Sequence, residues 1–413
     1  MKNLITFEGN NYELEFPDDK INDSNEISLF FKENSDKMGL DKLNKYYLNE
    51  NLAFLCGSGT SRILGGRTIN NGDSPFEDII NELSKTKDNI NEKIIEILNE
   101  GILLEKKFDK INQFALFMEN IENKTNESKR IKKTLDLILS KFVDCFIPFP
   151  NEYIEDKLSL HELFIKKIIS RSENLNRPKI FTPNYDLGFE NACERIGVSY
   201  NNGFRGTHLR KFDPDTFHNE SYIKQESKSK GRQIGNYLNI YKLHGSISWQ
   251  YNSKLNDLYS LVEVQIDDDY KKEDFKTESL MIFPLQTKKS YSLDLPYSEL
   301  FRLFSKSLLD NQNTLVILGY SFLDEHINDI IKTGLYNPNL TLIIHSYSLI
   351  SEDSPQFLKT LKNRSLDDHR IQIYEGNLVG SFENAVKYLN PLNSYIPSKD
   401  LIIETLKELL KSR

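Results

Sequence analysis

An apolar run that ends in two closely spaced glycines constrains the fold of this chain more than any other stretch. Residues 51–61 read Asn-Leu-Ala-Phe-Leu-Cys-Gly-Ser-Gly-Thr-Ser, which predicts a buried strand that runs into a tight loop at Gly57 and Gly59. Glycines permit backbone angles that other residues avoid, and they let the chain approach a ligand closely. A plain strand-to-turn is the alternative, because Arg62 stands where the dehydrogenase fingerprint needs its third glycine.

Three later segments place polar loops at the ends of further apolar runs. Ligands of open α/β sheets bind outside the carboxyl ends of the strands, so four such loops predict one shared site at one edge of a sheet. The three later segments are Thr182-Pro183-Asn184-Tyr185-Asp186, His244-Gly245-Ser246 and Gly319-Tyr320-Ser321.

The residue types in two of these loops suit bond cleavage at a sugar. Asn184 can both donate and accept hydrogen bonds, so it can orient water and a ribose. Asp186 carries a charge that suits ribose hydroxyls or a cationic ring, and His244 can take a proton from a hydroxyl or from water. The alternatives are that Asp186 only caps the next helix and that His244 is structural.

The remaining candidate residues predict a phosphate-binding loop. Loop N–H groups with a helix N-terminus behind them form an anion site suited to a pyrophosphate. Ser321 could reach a phosphate or the adenosine ribose, or it could be only a helix N-cap with Asp324 at the third helical position. Asp324 and Asn328 could likewise bond only each other. The predicted cofactor-binding residues are Gly57, Ser58, Gly59, Thr60, Ser61, Thr182, Gly319 and Ser321.

Composition excludes several classes of protein. The net charge is −8, from 53 basic and 61 acidic residues, which argues against direct nucleic-acid binding as the main role. The three cysteines lie far apart, so neither a disulfide framework nor a cysteine zinc site is expected. The first residues lack the apolar region of a signal peptide and no run is long enough to span a membrane, so a cytoplasmic protein without a membrane partner is expected.

The pattern along the chain predicts five regions outside the main strands. Residues 1–25 are predicted to form a β-hairpin extension, and a helix is predicted over 26–49 before the first strand. Residues 67–171 show a helical pattern and are predicted to be an insertion, while the polar segment 199–236 is expected to be a functional or disordered loop. Residues 391–413 are predicted to contain an amphipathic C-terminal helix. The histidines other than His244 have no motif support and are interpreted as surface or satisfied side chains.

The order of the four loops resembles the sirtuin family. A Gly-X-Gly-X-Ser loop, a Thr-X-Asn-X-Asp loop, a His-Gly pair and a Gly-X-Ser loop occur in that order. The resemblance implies a Rossmann-like, mostly parallel α/β sheet (sirtuin/deoxyhypusine-synthase-like) formed by 26–66 and 172–390, with a large helical insertion. It also implies that NAD is the substrate, that no metal is needed, and that Asn184 and His244 are the central catalytic residues, with Asp186 beside them.

The chain departs from the protein-deacylating sirtuins in two places. Deacylases carry four cysteines around a structural zinc after the catalytic histidine, and here no cysteine follows Cys193. The loop after the glycines also lacks their Gly-Ile-Pro-Asp-Phe-Arg pattern. Both departures favour the bacterial sirtuin-like branch that hydrolyses NAD in antiphage defence.

Members of that branch often act as oligomers or with a partner, such as a HerA-type ATPase or an Argonaute-like protein. The resemblance therefore implies a homo-oligomer and a partner defence protein. The alternatives are a non-catalytic module that binds NAD or ADP-ribose to regulate a partner and, less favoured, an NAD-dependent protein deacylase.

Overall fold

The computed structural model forms a mixed α/β fold around one large sheet. It describes residues 1–66, 76–86, 88–100, 104–150, 153, 155–172, 174–218, 222–223, 232–233, 236–252, 254–255, 258–266 and 295–388. The predicted C-terminal helix over 391–413 lies outside the described residues. Among those residues, no helix is long and apolar enough to cross a membrane.

The large sheet has nine strands. They are β1 (Lys2–Phe7), β2 (Asn10–Glu15), β3 (Asn51–Cys56), β4 (Lys179–Thr182), β5 (Ser199–Asn201), β10 (Tyr237–Lys242), β13 (Asn313–Leu318), β14 (Leu340–Ser346) and β15 (Ile371–Glu375). Their order across the sheet is β2-β1-β15-β14-β13-β3-β4-β10-β5. All neighbours from β15 to β5 pair in parallel, whereas the β1–β2 hairpin adds two antiparallel strands at one edge. The mostly parallel α/β sheet predicted from the sequence is therefore confirmed.

Helices cover both faces of this sheet because its central strands are apolar on both sides. In β3, Phe54 packs into one hydrophobic cluster and Leu55 into the other, as the period of two along a strand requires. The helices on the Phe54 face are α1 (Ser24–Glu33), α2 (Leu40–Tyr47), α8 (Glu155–Ile169), α9 (Gly188–Arg195) and α13 (Phe382–Lys387). Those on the Leu55 face are α10 (Tyr297–Leu308), α11 (Glu325–Gly334) and α12 (Gln356–Arg364).

A third hydrophobic cluster belongs to the helices that follow the first glycine loop. It also contains Leu187 and Ile247, so the apolar core of these helices continues into the segments that follow β4 and β10. In contrast, α8 packs on the main sheet although it falls within the predicted insertion. The division of the chain into units therefore stays a prediction. The helices of the third cluster are α4 (Glu77–Ser84), α5 (Asn89–Asn99), α6 (Leu104–Asn120) and α7 (Thr125–Phe146).

The polar segments contain more strand than the sequence pattern indicates. Their short strands are β6 (Phe204–Arg205), β7 (Arg210–Phe212), β8 (Tyr222–Ile223), β9 (Arg232–Gln233), β11 (Trp249–Tyr251) and β12 (Leu261–Glu263). Four of them form a separate antiparallel sheet in the order β11-β12-β7-β6, and the other two form a ribbon. The single helix expected over 26–49 is likewise replaced by two helices, α1 and α2, separated at Gly39 with a φ of +62°.

Candidate active site

The glycine loops lie at the point where the strand order of the sheet reverses. From β3 the chain continues to β4 on one side, and later returns to β13 on the other, which is the position where open α/β sheets bind ligands. The loops after β3 and β13 touch backbone to backbone: the Gly59 N–H donates to the Gly319 carbonyl at 2.9 Å. A Cβ on Gly319, which has a φ of +60°, would lie 2.7 Å from the Gly59 Cα. These two glycines are therefore required by the packing of the loops on each other.

Asn184 connects the loop after β4 to the first glycine loop. Its side-chain nitrogen donates to the Gly57 carbonyl at 2.9 Å and lies 2.7 Å from the Ser61 Oγ and 3.2 Å from the Thr60 Oγ1. Its backbone N–H donates to the Thr182 hydroxyl, which itself donates to the Cys56 carbonyl at 2.7 Å. Because the amide nitrogen is committed to the loop, the side-chain oxygen is the atom through which Asn184 can contact a ligand.

Asp186 is buried in the same interior. Its carboxylate accepts a hydrogen bond from the Ser61 hydroxyl and another from the Gly188 N–H at 2.9 Å. The Ser61 hydroxyl thus joins Asn184 to Asp186, which fixes the positions of all three side chains. A ribose hydroxyl that bound the Asp186 carboxylate would share it with Ser61 or take its place.

A buried ion pair stabilises the loop that carries Asp186. The Lys242 ammonium donates to the Asp186 backbone carbonyl and lies 3.5 Å from the Glu190 carboxylate, and the side chains of Lys242 and Glu190 are 1% and 5% exposed. Burial raises the pKa of the Glu190 carboxyl, and the Lys242 charge opposes that rise. Within the described residues the second carboxylate oxygen of Glu190 has no hydrogen-bond partner. The pair ties the strand before His244 to the helix after Asp186.

His244 follows β10 and reaches the segment after β13. Its Nε2 atom lies 2.9 Å from the Asp324 Oδ2 atom. The rings of Tyr185 and Phe301 lie at centroid distances of 6.4 and 6.2 Å from the imidazole, which is buried. Burial opposes the ionisation of Asp324. The hydrogen bond and charge of His244 and the Ile327 N–H outweigh it, so the pKa of Asp324 lies below its ordinary value.

These contacts join the loops after β3, β4, β10 and β13 into a closed set, called here the four-loop ring. The loop after β4 also accepts a hydrogen bond from the loop after β10, where the Ile247 N–H donates to the Tyr185 carbonyl at 3.0 Å. In the sheet, β10 and β13 are separated by β3 and β4, a span of roughly 14 Å at the usual strand spacing. The His244–Asp324 bond closes the ring across that span.

The ring brings together most of the residues predicted from the sequence. Gly57, Gly59, Thr60, Ser61, Thr182, Asn184, Asp186, His244 and Gly319 all lie within it through the contacts described above. Ser58 and Ser321 are exposed at its edge. The roles of these residues toward a ligand stay predictions.

Two readings of the fourth loop need correction. Ser321 is not the N-cap of the following helix, because α11 begins at Glu325 and Asp324 is its cap. Nor do Asp324 and Asn328 bond each other through their side chains: Asn328 donates to the Phe322 carbonyl at 2.9 Å and accepts from the Tyr320 hydroxyl at 3.0 Å. Serine and aspartate are both good N-caps, so the sequence signal alone could not choose between them.

Sequence reasoning missed three residues around the site. Asp324 was interpreted only as a helix-start residue, although it contacts His244. Lys242 gave a signal that could have been used, since a lysine in the apolar strand before His244 must find a buried partner. His161 is buried and hydrogen-bonds the backbone of Thr60; burial lowers its pKa to about 4, so it is neutral there. Its helix carried no motif that would mark it.

In comparisons with known proteins, part of the chain matches one family model. Residues 178–373 match the family model described as a SIR2-like domain. The SIR2-like domain contains the loops of Asn184, His244 and Gly319, whereas the Gly57 loop precedes it in the chain. The resemblance to sirtuins is therefore supported over these residues. No curated protein matches the chain.

Several solved structures of Sir2 homologues are similar to the chain at low identity. An NAD complex of a Sir2 homologue has 12% identity and a TM-score of 0.38, and the match covers 86% of this chain and 94% of that one. A mutant Sir2 homologue bound to ADP-ribose has 11% identity and a TM-score of 0.35, with 84% and 95% covered. A mutant bound to 2′-O-acetyl ADP-ribose has 11% identity and a TM-score of 0.38, with 86% and 99% covered.

Proposed function

We propose that this protein is an NAD hydrolase that cleaves NAD to nicotinamide and ADP-ribose. The observation that carries the proposal is the four-loop ring. It holds an asparagine amide and a histidine imidazole beside a glycine loop at the reversal point of a parallel sheet. The SIR2-like match supports an NAD-related function, and both Asn184 and His244 lie within the matched residues 178–373.

In this proposal the two glycine loops bind the phosphates and the adenosine side of NAD. The exposed hydroxyl of Ser58 faces the pyrophosphate. The N–H groups of Gly57, Gly59 and Thr60 hold the loop in shape by donating to backbone carbonyls. Gly319 and Ser321 contact the phosphate or the adenosine ribose from the loop after β13. Thr182 holds the Asn184 backbone at the centre, as its hydrogen bond to that N–H suggests.

The reaction needs positioning more than strong chemistry. A water molecule attacks C1′ of the nicotinamide ribose, the bond from C1′ to the ring nitrogen breaks, and nicotinamide leaves as a neutral molecule. Asn184 orients the water and the ribose through its side-chain oxygen, Asp186 stabilises the cationic sugar, and His244 accepts the proton that the water releases. No metal takes part in these steps.

Release of nicotinamide from NAD by the full chain tests the proposal. We expect His244→Ala to reduce the rate by about 100-fold or more, the usual contribution of a general base. His369→Ala is the matched control, because His369 is exposed and precedes β15 at the opposite end of the sheet from the ring. The control should cleave NAD at the wild-type rate.

The other outcomes identify the alternatives. NAD that binds but stays intact under every condition, including high protein concentration, would overturn the hydrolase and favour a non-catalytic NAD or ADP-ribose module. Nicotinamide release that depends on an acyl-lysine peptide would favour a deacylase. Equal loss of activity in His244→Ala and His369→Ala would contradict a specific catalytic role for His244.

We further propose, from the resemblance, that the hydrolase is a cytoplasmic effector of antiphage defence. It would act as a homo-oligomer or with a partner such as a HerA-type ATPase or another defence protein, without binding nucleic acid directly. The test is cellular NAD after phage infection, in cells that express the wild type or His244→Ala together with the neighbouring genes. NAD that falls only with the wild type supports the role; NAD that stays constant in both contradicts it.

A further inference from the structure

The carboxylate of Asp324 has two separate structural tasks. Its Oδ1 atom caps α11, accepting from the N–H groups of His326 at 2.8 Å and Ile327 at 3.2 Å. Its Oδ2 atom faces the Nε2 atom of His244 at 2.9 Å. The two backbone donors fix the position of Oδ1. Because the carboxylate is rigid, they also hold Oδ2 toward the imidazole.

The chemistry of the two groups sets the direction of the hydrogen bond. An ionised carboxylate can only accept, so the proton of this bond belongs to the imidazole and lies on Nε2. In the form that can act as a base, the imidazole is neutral and carries only this proton, which leaves the lone pair on Nδ1. The rings of Tyr185 and Phe301 lie near the buried imidazole, at centroid distances of 6.4 and 6.2 Å. The ring can therefore accept a proton only through Nδ1.

We propose that Asp324 is the positioning residue of His244 and that it holds the tautomer in which Nδ1 is the base. This inference rests on the proposed NAD hydrolysis. In the reaction, the attacking water forms its bond to C1′ and gives its proton to Nδ1, and nicotinamide leaves with the electron pair of the broken bond. The imidazolium that results is stabilised by the adjacent carboxylate, which itself stays ionised.

Asp324→Asn separates this role from helix capping. The backbone N–H groups of His326 and Ile327 require an acceptor, so the asparagine oxygen must take the place of Oδ1 and cap the helix. The amide nitrogen then takes the place of Oδ2 and donates to Nε2. The imidazole must carry its proton on Nδ1 instead, and the lone pair that would accept the proton of water is absent.

Asp324→Ser gives the intermediate case. Serine is a good N-cap, so α11 keeps its start, but its side chain is too short to reach the imidazole. The ring then has no fixed partner and samples both tautomers. The proposal therefore predicts kcat in the order wild type, then serine, then asparagine. A residue that acts only through its shape would give the opposite order for the two variants, because asparagine is the closer match to aspartate.

We expect Asp324→Asn to lower kcat by about 100- to 10,000-fold, as the wrong tautomer of a catalytic histidine does, with a change in KM of less than about threefold. Asp23→Asn is the matched control. Asp23 caps α1 through the same geometry, accepting from the N–H groups of Asn25 and Glu26, and is exposed. The control should leave both constants unchanged.

A spectroscopic measurement tests the tautomer independently of turnover. In full-length protein labelled with ¹⁵N-histidine, the His244 signals are assigned by their loss in His244→Ala. We expect the wild type to carry its proton on Nε2 and Asp324→Asn to carry it on Nδ1. A wild type with the proton on Nδ1, or an asparagine variant more active than the serine variant, would overturn the proposal.

The two readouts keep this inference apart from the proposed function. If the wild type does not cleave NAD but shows the expected tautomers, the proposed hydrolase activity is wrong, and the positioning of His244 by Asp324 is still supported. Cleavage that requires His244 but not Asp324 would keep the hydrolase and remove the positioning role.

Discussion

The side-chain nitrogen of Asn184 lies 2.9 Å from the backbone carbonyl oxygen of Gly57, which ties the loop after β4 to the loop after β3. The same nitrogen lies near the hydroxyls of Thr60 and Ser61. Asn184 is therefore a structural brace of the glycine loop as well as a candidate catalytic residue. Substitutions at this position test both properties.

We expect Asn184→Asp to destabilise the fold by about 1–3 kcal/mol, because a buried carboxylate cannot donate to the Gly57 carbonyl and places its own oxygen against that oxygen. The measurement is the free energy of unfolding in urea, together with NAD binding by calorimetry. Asn337→Asp is the matched control: Asn337 donates to the carbonyls of Leu308 and Asp310 before β14, away from the ring. The control should lose similar stability and keep NAD binding. An Asn184→Asp protein as stable as the wild type would contradict the brace.

Gly319→Ala should lower the free energy of unfolding by more than the substitution of a left-handed glycine normally does. Gly197 has a φ of +69°, and no heavy atom lies within 4 Å of the position that an added methyl group would take, so Gly197→Ala reports the backbone term alone, about 1–2 kcal/mol. At Gly319 the methyl also meets the Gly59 Cα at 2.7 Å and the Thr60 nitrogen at 2.8 Å. We expect an additional cost of about 1–3 kcal/mol from this overpacking, and weaker NAD binding only at Gly319. Equal unfolding free energies for the two variants would show that the loops do not depend on this contact.

The Lys242–Glu190 pair should be strongly coupled. Lys242→Met leaves the Glu190 carboxylate buried without a counter-charge, and breaking such a pair typically costs about 3–5 kcal/mol. Adding Glu190→Gln to Lys242→Met removes the unpaired charge, so part of the lost stability should return. A double-mutant cycle in urea measures the coupling. Additive single and double variants would mean that the two side chains do not interact energetically.

His345 should make the fold sensitive to acid. Burial lowers the pKa of His345 from 6.5 to about 4, and its Nδ1 atom lies 3.2 Å from the Val379 carbonyl. Between pH 6.5 and pH 4 the His345 side chain binds more protons in the unfolded chain than in the folded one. Its contribution to the free energy of unfolding is therefore fully present above pH 6.5 and is lost as the pH falls toward 4. His345→Gln removes this contribution. From pH 7 to pH 5 we expect the wild type to lose about 2 kcal/mol more than the variant. Identical pH profiles of unfolding would contradict a neutral, buried His345.

The main sheet could be predicted because its signals are local. Each central strand is a short apolar run closed by glycine or by a polar loop, and this pattern needs no knowledge of distant residues. The open α/β layout followed from the polar loops at the strand ends, and the parallel arrangement was implied by the resemblance to sirtuins. The four loops could be assigned to one edge for the same reason. The short strands within 199–236 escaped prediction because their pairing partners, not their own composition, determine them.

The inner contacts of the site depend on tertiary structure and could not be derived from the chain. Asp324 satisfies a general rule for helix starts, and nothing within its own segment indicates a contact with a histidine in the loop after β10. His161 belongs to a helix whose hydrophobic pattern indicates only which side chains are buried. Its contact with the Thr60 backbone depends on how that helix packs on the loop. In both cases the residue type was informative, but the partner was fixed by the order of strands in the sheet.

The position of β13 between β3 and β14 has a consequence for the synthesis of the chain. Asn184 and His244 leave the ribosome well before Gly319 and Asp324, so a partly made chain holds both candidate catalytic residues without the loop that completes their surroundings. The first glycine loop also lacks its backbone partner until β13 has paired with β3. In the proposed NAD hydrolase, a site that is completed only when this late strand pairs would keep partly made chains inactive.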